Sequence, residues 1–99
     1  MTPAQWQVHS VGGGLALVVQ SDLVPEMGTR LVVPVLRASE VEGVLDRLGP
    51  VVGVGDEPLR ALVPSLTVLP LSAIGPHAFD ASAHADGVVR ALDMLLSGV

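Results

Sequence analysis

The last twenty residues, Asp80 to Val99 (DASAHADGVVRALDMLLSGV), constrain the fold more than any other stretch, because from Val88 onward the apolar residues fall at 88, 89, 92, 95 and 96. That spacing is the stripe of a helix burying one face. The preceding chain must therefore build an apolar surface to receive it. Ser82 is the expected N-cap, Asp86 sits early enough to complement the helix dipole, and Gly98 is the expected stop. Two readings are open for the three small residues beyond, Ser97, Gly98 and Val99. They form either an ordinary frayed end or a tip shaped to enter a partner.

Upstream the period changes. Trp6 to Val11 reads as a short strand, Gly12-Gly13-Gly14 as a tight hairpin turn, and Leu15 to Gln20 as the paired strand. Ser21 to Arg30 reads as a loop. Leu31 to Leu36 (LVVPVL) is a strand interrupted by Pro34, which predicts an edge or a bulge because proline cannot donate to a ladder. Ser39 to Leu48 carries a helical pattern: Ser39 and Glu42 form a capping box, Val41, Val44, Leu45 and Leu48 form a stripe, and Gly49-Pro50 ends it. Val51 to Val54, Arg60 to Val63 and Leu66 to Ser72 are three further short strands. Five or six strands, one inserted helix and one terminal helix describe a small barrel-like or highly twisted sheet of the mainly β class.

Composition sets the outer limits. Ninety-nine residues make a single domain, 1–99. A 49% hydrophobic content and a mean hydropathy of +0.61 are high for a small monomer and predict self-association. Ten acidic residues against five arginines and no lysine give a net charge of -5, which argues against nucleic-acid binding by the chain alone. Cysteine is absent, so disulfides and thiolate metal sites are excluded, in keeping with a reducing cytoplasm. Neither a signal peptide nor an apolar run near the roughly 20 residues of a membrane span is present. The expectation is a soluble cytoplasmic protein.

Catalytic patterns are sparse. His9, His77 and His84 fall in three separate segments without metal-ligand spacing. Gly53-x-Gly55 precedes Asp56-Glu57 rather than a helix, so a turn is expected there instead of a nucleotide loop. Asp56 and Glu57 are adjacent on that turn and point different ways, which suits solvation better than acid–base work. No serine has a nucleophile-elbow context. Neither catalytic residues, metal nor cofactor is expected.

Gln20-Ser21-Asp22-Leu23-Val24 followed by Gly28-x-Arg30-Leu31-Val32-Val33-Pro34 resembles the corresponding block of the CcdB family, the toxins of plasmid-maintenance toxin–antitoxin modules. The likeness continues through Pro50-Val51-Val52, Gly55-Asp56-Glu57, Arg60, Pro70, Ser72 and Ile74-Gly75, and through the final twenty residues without a gap. It runs in one order from about Leu15 to the end. The N-terminal strand and the Ser39 to Leu48 segment match only in pattern.

The resemblance implies an SH3-like barrel of antiparallel strands with a C-terminal helix, assembled as a homodimer. It also implies a DNA gyrase inhibitor that wedges into the gyrase A subunit, traps the cleaved DNA complex of this topoisomerase, and is neutralised by a cognate antitoxin. The family's gyrase contact ends in Trp-Gly-Ile, and the matching positions are Ser97, Gly98 and Val99. Leu23 and Val24 match aliphatic loop contacts, while Leu96 stands for a phenylalanine and Asp93 for an asparagine. Replacing the tryptophan removes a typical hot-spot side chain, whose truncation commonly costs about 2 kcal/mol or more. The alternatives are a CcdB-fold protein whose gyrase binding is lost or redirected, and a β-barrel binding module with no toxin role.

Overall fold

The computed structural model describes residues 2–24, 28–41 and 46–98. Among them the chain forms seven strands and one α-helix. In chain order these are β1 (Gln7–Val11), β2 (Gly14–Val18), β3 (Thr29–Arg37), β4 (Val51–Gly53), β5 (Leu59–Ala61), β6 (Thr67–Pro70), β7 (His77–Asp80) and α1 (Ala85–Ser97). All the strands are antiparallel in one sheet of order β4-β5-β3-β2-β1-β7, with β6 also paired to β3. The sheet curls into a half-barrel, and α1 lies against the 3-10 turns Asp46–Leu48 and Val63–Ser65, with Val88 and Ala91 joining the main core.

The hairpin forms where the glycines predict it. Val11 pairs with Gly14 across Gly12-Gly13, and Gly12 takes the left-handed φ of +57° that a tight turn demands. Trp6 lies outside β1 and also has a positive φ, +68°. It is held there because its N–H donates to Val18 O and its carbonyl accepts from Ala81 N–H, both at 2.8 Å. That one turn joins β2 to the start of the helical segment.

Pro34 corrects the edge-strand expectation. It lies in β3, the most extensively paired strand, opposite Ala16 of β2. On its other side β3 changes partner: Val35–Arg37 pair with β5, Thr29–Val32 pair with β6, and Pro34 falls in the gap between them. Its carbonyl accepts from Leu62 N–H at 2.9 Å, so its nitrogen faces the same gap, where no ladder bond is lost. A proline is thus tolerated inside a sheet because one edge of its strand is locally unpaired.

Side chains of β2 and β3 alternate between two apolar layers. Leu17, Val19, Val33 and Val35 join Val8, Val52, Ala61, Val63, Ala81, Val88 and Ala91 in the main core. Ala16, Val18 and Val32 point the other way, under Val11, Leu69 and Ile74. Burial of both faces explains why LALVV and LVVPVL read as continuous apolar runs. The buried Arg30 extends the same strand's reach, with Nε donating to Pro3 O at 3.0 Å and Nη1 to Thr29 O at 2.7 Å.

Several boundaries differ from the sequence reading. β7 was not expected; it pairs with β1 through a bulge, Val8 facing Phe79 and His9 facing His77. β6 stops at Pro70 and gives way to a 3-10 turn at Leu71–Ala73. Ser82 does not cap α1. It opens a 3-10 turn, Ser82–His84, and its N–H donates to the Asp80 carboxylate at 2.9 Å. Asp86 does lie in the first helical turn, and Gly98 does end α1, with φ +72° and its N–H donating to Met94 O at 2.9 Å.

Of the inserted helix, residues 42–45 lie outside the described residues, including Glu42, Val44 and Leu45. Its flanks are 3-10 turns at Ala38–Glu40 and Asp46–Leu48. Ser39 is engaged elsewhere: its hydroxyl and its N–H donate to Glu57 Oε1 at 2.5 and 3.1 Å. These bonds, the hydroxyl's first, hold the Glu57 carboxyl below its ordinary range; desolvation opposes them and the Arg37 charge adds to them.

Two tests follow. A Cβ on Gly75 would sit 2.8 Å from Ser10 O, the carbonyl that already accepts Gly75 N–H, whereas one on Gly13 meets nothing within 4 Å. Gly75→Ala is expected to destabilise by roughly 1–3 kcal/mol in urea unfolding, and Gly13→Ala by less than about 0.5. A lowered Glu57 pKa contributes stability above the unfolded-state pKa, and that contribution is lost as pH falls through the folded value. Ser39→Ala is expected to raise the Glu57 titration midpoint seen by NMR and to flatten the acid limb of the stability curve.

Candidate functional site

Helix α1 presents three faces, because successive residues are offset by about 100°. Val88 and Ala91 are buried, and Leu92 packs on the core beside them. A second flank carries Val89 and Leu96, which stay exposed at 43% and 75%. The periodic stripe of 88, 89, 92, 95 and 96 therefore divides: only Val88 and Leu92 join the core, whereas Leu95 is also exposed. A third face, Gly87, Arg90, Asp93, Met94 and Ser97, lines an open groove of about 740 Å3 with Arg47 and Pro50 opposite. A Cβ on Gly87 would rest 3.5 Å from Pro50 Cβ, an ordinary van der Waals contact, so the two walls meet at this point.

The candidate tip residues Asp93, Leu96, Ser97 and Gly98 lie together on the last turn of α1. The Ser97 hydroxyl folds back and donates to Asp93 O at 2.6 Å, a bond that satisfies a late helical carbonyl and turns the side chain away from a partner. Leu96 projects outward beside it. Val99 lies outside the described residues.

Leu23 and Val24 occupy a separate turn. Ser21 organises it, with Oγ accepting Leu23 N–H and its carbonyl accepting Val24 N–H, both at 3.1 Å, while the Asp22 carboxylate accepts Gln5 N–H at 2.9 Å. Leu23 is left 94% exposed, a position where an aliphatic side chain gains nothing from the fold. Among the described residues no hydrogen bond joins this turn to the tip. The family resemblance singled out the tip and the loop but not the groove. The recurrence of Gly87, Arg90, Met94 and Ser97 on one helical face was the available signal.

Two of the three histidines meet in space although they are far apart in sequence. His9 and His77 stack edge to face with centroids 5.5 Å apart. His9 is buried, and its ring nitrogens lie 2.9 Å from Gly75 O and 3.0 Å from Gln7 Oε1. Such a ring braces the β1–β7 bulge. Among the described residues no three His, Asp or Glu side chains converge as a metal set, and no helix is long and apolar enough to cross a membrane.

Known proteins match this architecture. One solved structure, described as an endoribonuclease in complex with its cognate antitoxin from a mycobacterial species, superposes with a TM-score of 0.78 at 15% identity, covering 95% of this chain and 94% of that one. At that identity it shows the fold. The model of the family described as CcdB protein matches residues 6–98, nearly the whole chain, and so this chain belongs to the CcdB family.

Proposed function

We propose that this chain is the toxin of a toxin–antitoxin pair, and that it acts by docking on a protein target rather than by catalysis. The observation that carries the reading is the pairing of family membership with a helix whose final turn exposes Leu96 and Gly98 instead of burying them. Placement with a fold neighbour solved beside its cognate antitoxin supports an antitoxin partner for this chain also.

DNA gyrase A is the proposed target and the cytoplasm the proposed compartment, with a homodimer as the acting form. Val51, Val54, Val68 and Val89 are exposed apolar residues that a second copy can cover. The contacts assigned to gyrase are Leu23, Val24, Asp93, Leu96, Ser97, Gly98 and Val99, on the strength of their positions in the family pattern.

A second reading is favoured by one specific contact. The Ser97 hydroxyl is occupied by Asp93 O, so the position that holds a tryptophan in the family offers a partner neither an aromatic face nor a free donor. Gyrase affinity is then reduced or redirected to another partner.

Expression in a sensitive host separates the two. The gyrase reading expects growth arrest and accumulation of linear DNA in a gyrase cleavage assay. Ser97→Trp is expected to lower the protein concentration needed by at least about tenfold, the equivalent of 1.4 kcal/mol. Growth arrest without trapped DNA at high protein concentration would overturn gyrase as the target in favour of a redirected one. The absence of both growth arrest and trapped DNA would overturn the toxin reading.

A further inference from the structure

The β1–β7 corner of the sheet holds a buried histidine between two acceptors. Each ring nitrogen of His9 faces an oxygen, Nδ1 at 2.9 Å from Gly75 O and Nε2 at 3.0 Å from Gln7 Oε1. Gly75 O is a backbone carbonyl and can only accept. Gln7 Oε1 is fixed as an acceptor too, because Ala4 N–H donates to it at 3.0 Å, and Gln7 N–H returns a bond to Ala4 O at 3.1 Å. A neutral imidazole has one N–H and one lone pair. With Nδ1–H donating to Gly75 O, the Nε2 lone pair points at an oxygen lone pair. A buried pair in that arrangement calls for something positive between its members.

The spacing selects what fits. Two donor atoms bound to one ion at about 2.1 Å and at right angles lie roughly 3.0 Å apart, as Nε2 and Oε1 do, whereas tetrahedral angles put them roughly 3.4 Å apart. The other nitrogen of His9 already makes the bond typical of a metal-bound histidine, donation to a backbone carbonyl. His77 supplies a third donor. It is the cross-strand partner of His9, it is exposed, and its ring stands at 83° to the His9 ring with centroids 5.5 Å apart. Two imidazoles on one ion at bond angles of about 90–120° have centroids roughly 4.6–5.6 Å apart. Gln7, His9 and His77 line one open pocket of about 410 Å3, so water can complete the shell.

We propose that Gln7, His9 and His77 form a binding site for a divalent transition-metal ion that prefers six-coordination, the class of Ni2+ and Co2+. Two imidazoles and an amide oxygen favour that class over Mg2+ and Ca2+, which take shells of oxygen. A net charge of -5 favours a cation in general. The bound ion ties β1 to β7, the strand that leads into α1. The site uses none of the residues assigned to the target and stands independently of the toxin reading.

The test uses the untagged full chain titrated with NiCl2 in a calorimeter, with MgCl2 as the control. One Ni2+ per chain is expected, bound at least about a hundredfold more tightly than Mg2+. His77→Ala removes an exposed donor and should weaken Ni2+ at least about tenfold, while Gln7→Glu places a carboxylate on the ion and should tighten it by a similar factor. His84→Ala, at the remaining histidine, should leave the affinity unchanged. Circular dichroism reports that the variants are folded. In NMR spectra of the unmutated chain, paramagnetic broadening by Ni2+ should centre on the His9 and His77 imidazoles.

No saturable Ni2+ binding, an unchanged affinity in the folded His77→Ala variant, a loss of affinity in His84→Ala, or broadening centred away from His9 and His77 would overturn the proposal. So would a His9 ring that carries protons on both nitrogens before and after Ni2+ is added, because a proton then fills the gap in place of the metal.

Discussion

Strand β3 is the member on which the other elements depend. One edge pairs with β2 from Leu15 to Val18, and the other is divided between β5 and β6. Its side chains feed both apolar layers, Val33 and Val35 into the core beneath α1 and Val32 into the smaller layer beneath Leu69 and Ile74. Dividing one edge between two partners is what curls the sheet, because strands on either side of the gap can splay in different directions. Pro34 at the gap costs no ladder bond, because its nitrogen faces no partner acceptor there while its carbonyl accepts Leu62 N–H. Val88 and Ala91 of α1 join the same core as Val33 and Val35.

That docking sets the chemistry of the helix. Once Val88, Ala91 and Leu92 are committed to the core, rotation of α1 is determined, and every other position has a defined outlook. Val89 and Leu96 emerge on one flank. Arg90, Asp93, Met94 and Ser97 emerge on the other, over Pro50. Gly98, in the left-handed conformation, ends the helix with its N–H donating to Met94 O.

Local signals were sufficient wherever the physics is local. The glycine run at 12–14 needs a positive φ at one residue to turn a hairpin, and the amphipathic spacing beyond Val88 needs only the helical period. Gly98 as a stop and Asp86 in the first turn follow from groups within one turn of each other. Most of the misplaced features depend on distant partners. Ser39 and Ser82 look like caps by spacing, but Glu57, 18 residues away, claims the first, and Asp80 caps the second's N–H. β7 is four residues, His77–Asp80, without β-branched side chains, and becomes a strand because β1 offers an unpaired edge.

The sequence by itself determined the mainly β class, the terminal helix, the hairpin and the family, since periodicity, turn chemistry and collinear motifs are written in residue order. Tertiary structure decided which half of the apolar stripe is buried, that a proline sits in the central strand, that His9 meets His77, and that two of five arginines share a groove. Those outcomes arise from contacts between segments 14 to 68 residues apart, where strand pairing selects neighbours that no local pattern encodes. A stripe of apolar residues states that a helix has a buried side. Only the curvature of the sheet beneath it states how wide that side is, and so which of Val89, Leu95 and Leu96 remain free to meet a partner.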